Sequence, residues 1–383
     1  MRKFALEFKK KTMRKFVIFL VLIVLLIANP TINAASSGKC GENITWTLDD
    51  EGNLIIEGMG KMDIFYTQEN VPWGQEIKTV KISEGILTLG MCAFQDCQDL
   101  KSVVIPNSVR DIGYAAFRGC TGLKSVIIGN SVVNIEDSAF QKCSSLLSVE
   151  FPNSVKRIGY FAFSGCSGLK NVNLPNSVLV MEGGAFSFCT ELTSIKISNS
   201  VTEIGYDTFR GCKSLKSVEI PENVTKIGTG AFSLCSTLTN VVIGKNVSEI
   251  GNLAFQDCAA LNKVISYAIE PPACMQYDPF DGDDKGKCVL EVPDESVEKY
   301  KMADVWKEFL NISGVESVAA DGNVSIAIEN GMLTVRGASE NADMEIYSIT
   351  GATIYRGKVT AVEVSDTEIY IVRVAGKVFK VVK

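Results

Sequence analysis

The 383-residue chain contains no histidine. Histidine is the side chain most used as a general base and as a zinc ligand at neutral pH, so Ser-His and Cys-His nucleophile pairs are excluded. Charged residues are also few, at 21% against 46% hydrophobic residues. That balance argues against disorder and for a chain that folds with extensive burial.

Basic runs are absent beyond the amino terminus. After residue 34 the chain carries 31 basic and 43 acidic groups, a net charge of about −12. An acidic chain of this kind has no run of basic residues that would attract nucleic acid or anionic lipid. We therefore expect no nucleic-acid partner.

The first 34 residues have the pattern of a signal peptide. A basic segment at residues 9–15 precedes an apolar run at residues 17–28, and Ala34 supplies a small residue for cleavage. The run is too short for a transmembrane helix, which needs roughly 20 apolar residues. We predict an exported protein with no stable membrane span, translated from Met1 or Met13.

A strict period of 23 residues dominates the middle of the chain. Phenylalanine and, three residues later, cysteine recur at that interval. The phenylalanines are Phe94, Phe117, Phe140, Phe163, Phe186, Phe209, Phe232 and Phe255, and the cysteines are Cys97, Cys120, Cys143, Cys166, Cys189, Cys212, Cys235 and Cys258. A fixed period of this size is typical of leucine-rich repeats, in which coils stack side by side.

Each period contains a short strand. In one coil the apolar Val103 and Ile105 alternate with Ser102 and Val104, so one pair points inward and the other outward. Pro106 then ends the strand, because it lacks a backbone donor. A single coil leaves its upper and lower faces open, so we expect the array to be the folding unit, with a parallel sheet along one surface.

The cysteine column lies on an inward position of every coil. Stacked equivalent residues keep their Cβ atoms about 4.8 Å apart, whereas a disulfide requires about 3.5–4.5 Å with a right-angle twist. We predict a ladder of buried free thiols, with disulfides or a metal site as alternatives, and we expect no metal and no cofactor. For Cys274 and Cys288 the sequence leaves pairing open.

The repeat Ala-Phe-x-x-Cys-x-x-Leu-x-x-Val-x-Ile-Pro-x-Ser-Val-x-x-Ile-Gly resembles the BspA-like leucine-rich-repeat family. The resemblance implies a leucine-rich-repeat solenoid with a non-enzymatic role at the cell surface or outside the cell. It also implies adhesion or recognition, with host extracellular-matrix or bacterial-surface partners. By the same resemblance, we expect an N-terminal β module at residues 35–71, the solenoid at 72–265 and a C-terminal cap at 266–318.

Strand patterns replace the repeat over residues 319–383. The Asn330-Gly331 pair between two apolar runs predicts a hairpin, and the region as a whole predicts a small β-sandwich. The segments at residues 345–351 and 369–374 resemble the C-terminal sorting domain of type IX secretion, although Glu368 replaces the usual glycine. A sandwich with a purely structural role is the alternative.

The outward strand positions form the candidate ligand face. They combine small polar residues with partners that vary from coil to coil, as suits recognition over a broad area. The candidates are Ser102, Val104, Ser125, Ile127, Ser148, Glu150, Asn171, Asn173, Ser194, Lys196, Ser217, Glu219, Asn240 and Val242.

Three other patterns suggest different uses. Tyr114, Tyr160 and Tyr206 recur in alternate coils, either packing against loops or forming an aromatic stripe for a glycan. The acidic loop at residues 278–284 does not match a calcium-binding spacing and is expected to be solvated. A carboxylate-based hydrolase would need two converging acids, which no repeat column supplies. A protein or glycan ligand is therefore the expected partner.

Overall fold

The computed structural model describes residues 34–315, 325–329, 332–336, 342–348, 353–358, 362–363, 369–374 and 377–382. Apart from Ala34, the predicted signal peptide lies outside the described residues, as do Asn330-Gly331 and Glu368. In the described part, no helix combines the length and apolar character needed to cross a membrane.

Three strands cover the amino-terminal end of the repeats. β1 (Ala34–Gly41) and β2 (Asn43–Asp49) are antiparallel, as are β2 and β3 (Asn53–Lys61). A single 3₁₀ turn at Gln68–Asn70 leads from them into the first coil. β3 pairs in parallel with the first strand of the array, so the sheet continues directly into the repeats.

Every coil contributes one strand to a first parallel ladder. Equivalent residues pair across a 23-residue step, as Ser102 does with Ser125, which follows from stacking near-identical coils in register. The ladder consists of β4 (Thr79–Ile82), β6 (Ser102–Val104), β8 (Ser125–Ile127), β10 (Val149–Glu150), β12 (Asn171–Asn173), β14 (Ser194–Lys196), β16 (Ser217–Glu219), β18 (Asn240–Ile243), β20 (Lys263–Ser266), β22 (Val289–Pro293) and β23 (Asn311–Val315). The predicted leucine-rich-repeat solenoid and its parallel sheet are confirmed, and the solenoid has about 11 coils.

A second parallel ladder runs along another side of the array. Its strands are β5 (Ile86–Leu89), β7 (Asp111–Ile112), β9 (Asn134–Ile135), β11 (Arg157–Ile158), β13 (Val180–Met181), β15 (Glu203–Ile204), β17 (Lys226–Ile227), β19 (Glu249–Ile250) and β21 (Ala273–Cys274). Sequence analysis did not identify this ladder, since two extended residues per coil are too few to show alternation. They pair because each meets its equivalent in the next coil.

Both ladders are interrupted near the middle of the array. The first is divided between β10 and β12 and between β14 and β16, with a further break between β4 and β6, and the second is divided between β13 and β15. Nearby, Phe151 occupies a strand end that is aliphatic in neighbouring coils, and its ring packs edge-on against Phe163 and Phe186 at 5.5 and 6.5 Å. The widest spacing in the phenylalanine stack, 5.8 Å, follows between Phe186 and Phe209.

A continuous stack of aromatic rings forms the centre of the core. The eight periodic phenylalanines are fully buried, and adjacent rings stack at 5.0–5.8 Å. Phe280 joins the stack 5.3 Å from Phe255 although it falls outside the 23-residue period. Trp73 stacks on Phe94 at the amino-terminal end, and Trp306 packs edge-on against Phe280 at the other.

The cysteine column lies beside these rings, and the predicted ladder of buried thiols is confirmed. All twelve cysteines are free, including Cys274 and Cys288. Each thiol from Cys120 to Cys258 donates to the carbonyl oxygen of a phenylalanine in the previous coil, as Cys120 Sγ does to Phe94 O at 3.0 Å. Burial and this hydrogen bond fix the thiol orientation.

The carboxyl-terminal end of the array is covered by a short helical segment. It comprises a 3₁₀ turn at Asp294–Ser296, helix α1 (Val297–Met302) and a second 3₁₀ turn at Trp306–Glu308. The buried Trp306 donates from Nε1 to Pro272 O at 2.9 Å.

The carboxyl-terminal region contains two antiparallel sheets, as the predicted β-sandwich requires. One sheet contains β24 (Ser325–Glu329), β25 (Met332–Arg336) and β28 (Val362–Glu363), and the other contains β26 (Asp343–Ser348), β27 (Thr353–Lys358), β29 (Ile369–Val374) and β30 (Lys377–Val382). Leu333 from the first sheet and Met344, Ile346, Val372 and Val374 from the second form a buried cluster of their own.

Candidate functional site

The outward side chains of the first ladder form a continuous surface, which we call the strand face. The ladder places the fourteen predicted candidates in two adjacent columns that cross the coils. One column holds Ser102, Ser125, Ser148, Asn171, Ser194, Ser217 and Asn240, and the other holds Val104, Ile127, Glu150, Asn173, Lys196, Glu219 and Val242. All are exposed except Val242, which is half-buried between its neighbours Glu219 and Ile265.

The first column is a row of hydroxyl and amide groups. In its centre, Asn171 Oδ1 accepts hydrogen bonds from Ser194 Oγ at 2.7 Å and Thr193 Oγ1 at 3.2 Å. These hydrogen bonds orient the side chains at the centre of the column, and such preorganisation lowers the entropy cost of binding in general.

The second column changes in character along the array. Val104 and Ile127 make its amino-terminal end apolar, whereas Glu150, Lys196 and Glu219 make its centre charged. Neighbouring coils therefore present different groups at one geometric position. A surface of this kind can distinguish one extended partner from another.

An ion pair and a tyrosine follow the charged part of the strand face. Lys263 Nζ lies 2.8 Å from Glu291 Oε1 across adjacent strands. Partial burial raises the pKa of Tyr267, and the carboxylates of Glu219 and Glu291 raise it further. Sequence analysis missed these residues because the 23-residue period ends at Phe255.

The three periodic tyrosines lie exposed at one corner of the coils. Their exposed fractions fall between 37% and 45%. The rings of Tyr160 and Tyr206 stack at 6.0 Å although they belong to alternate coils, and the intervening coil has Gly183, where a Cβ would meet the Tyr206 ring at 2.5 Å. The carboxylate of Glu182 raises the pKa of Tyr160.

Three carboxylates converge beside this corner, which the sequence did not reveal. Arg157 binds Glu136 and Asp137 at 2.8 Å each and lies 3.5 Å from Glu182. The acids come from two different coils and from two positions in the coil, so no single column of the repeat shows them. The guanidinium engages all three, which favours a structural ion-pair network over acid-base chemistry.

The acidic loop also has internal partners. Lys285 pairs with both Asp278 and Glu308. The carboxylate oxygens of Asp283 are buried and have no hydrogen-bond partner, and burial raises the pKa of Asp283 to about 7. Among the described residues, no three cysteine or acidic side chains are arranged to hold a metal ion.

The candidate surface is thus a broad sheet face on a stack of coils. This architecture is a leucine-rich-repeat solenoid, a scaffold fold that displays side chains over a long surface. The BspA-type leucine-rich repeat region matches residues 73–179 and 134–262, in six copies. Through this region the chain belongs to the BspA-type leucine-rich repeat family.

Comparison with curated proteins gave no significant match. Among solved structures, the chain is similar to a leucine-rich repeat protein of Eubacterium ventriosum, with 22% identity over 73% of this chain and 84% of that one, and a TM-score of 0.45. It is similar to the leucine-rich repeat protein of T. pallidum, with 31% identity over 52% and 90%, and a TM-score of 0.40. A leucine-rich cell surface protein of Faecalibacterium prausnitzii has 21% identity over 62% and 96%, and a TM-score of 0.33.

Proposed function

We propose that this protein is exported to the cell surface and binds macromolecules through its strand face, without catalysing a reaction. The observation that carries the proposal is the pairing of an oriented hydroxyl and amide column with a column that varies from coil to coil. Protein ligands are the first class to test, with host extracellular-matrix proteins first among them.

Binding of the exported protein to immobilised matrix proteins and bacterial-surface proteins tests this function. Changing Glu150, Lys196 and Glu219 together to serine is expected to weaken saturable binding at least tenfold. The matched control changes Glu203, Lys226 and Glu249, which are equivalent in charge but lie on the second ladder. Equal losses in both variants, or no binding to any protein, would contradict recognition by the strand face.

A second candidate function is glycan binding at the tyrosine corner. The exposed stack of Tyr160 and Tyr206 favours it, because sugar rings pack on aromatic faces while nearby carboxylates accept hydrogen bonds from hydroxyls. A glycan array compares the protein with a Tyr160→Ala/Tyr206→Ala variant. Loss of a glycan signal in this variant, with protein binding retained, would assign the corner to sugars.

We further propose an organisation in which residues 1–34 direct export and residues 319–383 act as a type IX sorting domain. Residues 35–71, 72–265 and 266–318 are then the β module, the repeat array and the cap. The two antiparallel sheets of the carboxyl-terminal region are compatible with this role. Removing residues 319–383 should leave the protein in the periplasm, and unchanged surface display would assign the region a structural role.

A further inference from the structure

Three lysines mark the start of successive strands at the amino-terminal end of the strand face. Lys78, Lys101 and Lys124 each directly precede a strand and are exposed. The backbone N–H of Lys124 donates to Lys101 O at 2.9 Å, so these two lysines lie on adjacent coils. With a coil spacing of about 4.8 Å, three ammonium groups stand along about 10 Å of the array.

These lysines are weakly compensated. Lys101 Nζ is 3.9 Å from Asp99, the outer limit of an ion pair. In the described part of the chain, no ion pair involves Lys78 or Lys124. The carboxylates nearest in the chain and the ladder belong to Glu76, to Glu51 beside Gly52, whose carbonyl oxygen accepts the Lys78 backbone N–H, and to Glu150, the ladder partner of Ile127. Neighbouring like charges repel each other, so a local cationic row on a chain of net acidic charge is a feature that an anionic partner would stabilise.

Exposed aliphatic side chains adjoin the lysines. Val104 and Ile127 are neighbours in the ladder and are 39% and 46% exposed. Leu147 is 51% exposed and continues the lysine column, since its N–H donates to Lys124 O. We call Lys78, Lys101, Lys124, Val104, Ile127 and Leu147 the basic apolar patch.

We propose that the basic apolar patch binds an acidic protein segment that also carries aliphatic side chains. This inference rests on the proposed recognition by the strand face and names the chemistry of the partner. Carboxylates would pair with the lysines while aliphatic groups cover Val104, Ile127 and Leu147. Aliphatic side chains favour a protein over an anionic glycan, because sugar recognition relies on aromatic rings, which lie instead at the tyrosine corner.

The test measures binding of the exported full protein to synthetic probes. The first probe is a peptide in which leucines are spaced among glutamates, and its matched control replaces every glutamate with lysine. Polyglutamate and heparin serve as anionic probes without aliphatic groups. The glutamate-leucine peptide is expected to bind more tightly than either, and its affinity should fall as salt is raised from 50 to 300 mM.

Two kinds of variant locate the binding. Lys101→Glu/Lys124→Glu is expected to weaken binding of the peptide at least tenfold, and Ile127→Ser severalfold. The control Arg110→Glu/Lys156→Glu makes the same charge change at exposed positions that precede strands of the second ladder, and it should alter affinity less than twofold. Thermal unfolding of each variant verifies that the coils remain intact.

The outcomes separate this inference from the proposed function. Equal binding of both peptides, or an equal effect of the control, overturns the basic apolar patch as a site. If heparin binds as tightly as the peptide and Ile127→Ser does not change its affinity, the patch attracts anions by charge alone. That result overturns the proposal that the partner is a protein segment. If matrix binding is lost in the Glu150/Lys196/Glu219 variant but not in the lysine variant, strand-face recognition stands and this inference fails.

Discussion

At the scale of single residues, the cysteine thiols are notable because all twelve are free. Their protection has a physical basis, since burial raises the pKa of Cys97 to about 12 and leaves little reactive thiolate at neutral pH. The sulfurs also donate to backbone carbonyls, which occupies the S–H group. The ladder is therefore a packing element.

Thiol labelling checks this interpretation. In the native protein at pH 8, an aromatic disulfide reagent should react slowly with the half-buried Cys274 and with the remaining cysteines only after denaturation. Cys274→Ser should abolish the slow labelling reaction of the native protein. Rapid native labelling of several thiols would contradict a closed core.

Asp283 gives the acidic loop at residues 278–284 a pH-dependent stability. Its folded pKa of about 7 lies above the ordinary value of 3.8, so folding favours the protonated form. Stability from this group is complete below about 3.8 and is lost as the pH rises through about 7. Asp257 and Asp278 face it as like charges and Lys285 as the opposite charge.

Asp283→Asn should therefore raise the melting temperature at pH 8 and change it little at pH 5. The asparagine keeps the shape of the side chain and removes the buried charge. Asp281→Asn is the matched control, because Asp281 is exposed in the same loop. An equal gain at both pH values would show that charge is not the cause.

At the scale of the coil, each repeat contains two residues with left-handed backbone conformation. The second of these positions is glycine in some coils, such as Gly119 and Gly165, but Lys142 and Leu234 occupy it elsewhere with φ of 62°. A non-glycine residue there costs roughly 1–2 kcal/mol. The corner geometry is thus imposed by stacking even where the local residue resists it.

Lys142→Gly is expected to stabilise the protein by up to about 1 kcal/mol, since relief of this strain exceeds the entropy that glycine adds to the unfolded chain. Lys170→Gly is the control, because Lys170 is also exposed but does not have a positive φ. Lys170→Gly should lower the free energy of unfolding by about 0.5–1 kcal/mol. Urea unfolding measures both, and a loss in both variants would contradict the strain argument.

At the scale of the whole molecule, the described residues contain two separate buried clusters. One runs without a break from Cys40 to Phe309, and the other consists of Leu333, Met344, Ile346, Val372 and Val374. Repeats cooperate through their interfaces, so the first cluster should unfold as a unit. The second has its own core and should unfold independently.

Calorimetry of residues 35–383 should accordingly show two transitions. Phe163→Ala removes a ring stacked at 5.2 Å on Phe140 and at 5.4 Å on Phe186. It should lower the free energy of unfolding of the array by about 3–5 kcal/mol and so lower the temperature of that transition. Val372→Ala should lower only the temperature of the transition of the second cluster. A single transition that both variants shift together would show that the clusters are coupled.

Much of this architecture could be predicted, because stacking makes the sequence repeat whatever the coil requires. Phe94 and its seven equivalents, the cysteine column and the alternation of Ser102 with Val103 each occur every 23 residues. A residue's inward or outward position therefore follows from its place in the period. The strand face was predictable for the same reason.

Features that depend on contacts between one coil and another were decided only by the tertiary structure. The Arg157 network, the stacking of Tyr160 on Tyr206 and the entry of Phe280 into the aromatic stack belong to this group. So does the second ladder, whose two-residue strands carry no pattern of their own. The period specifies the environment of a residue within its coil, whereas these contacts depend on the side chains that the neighbouring coils bring beside it.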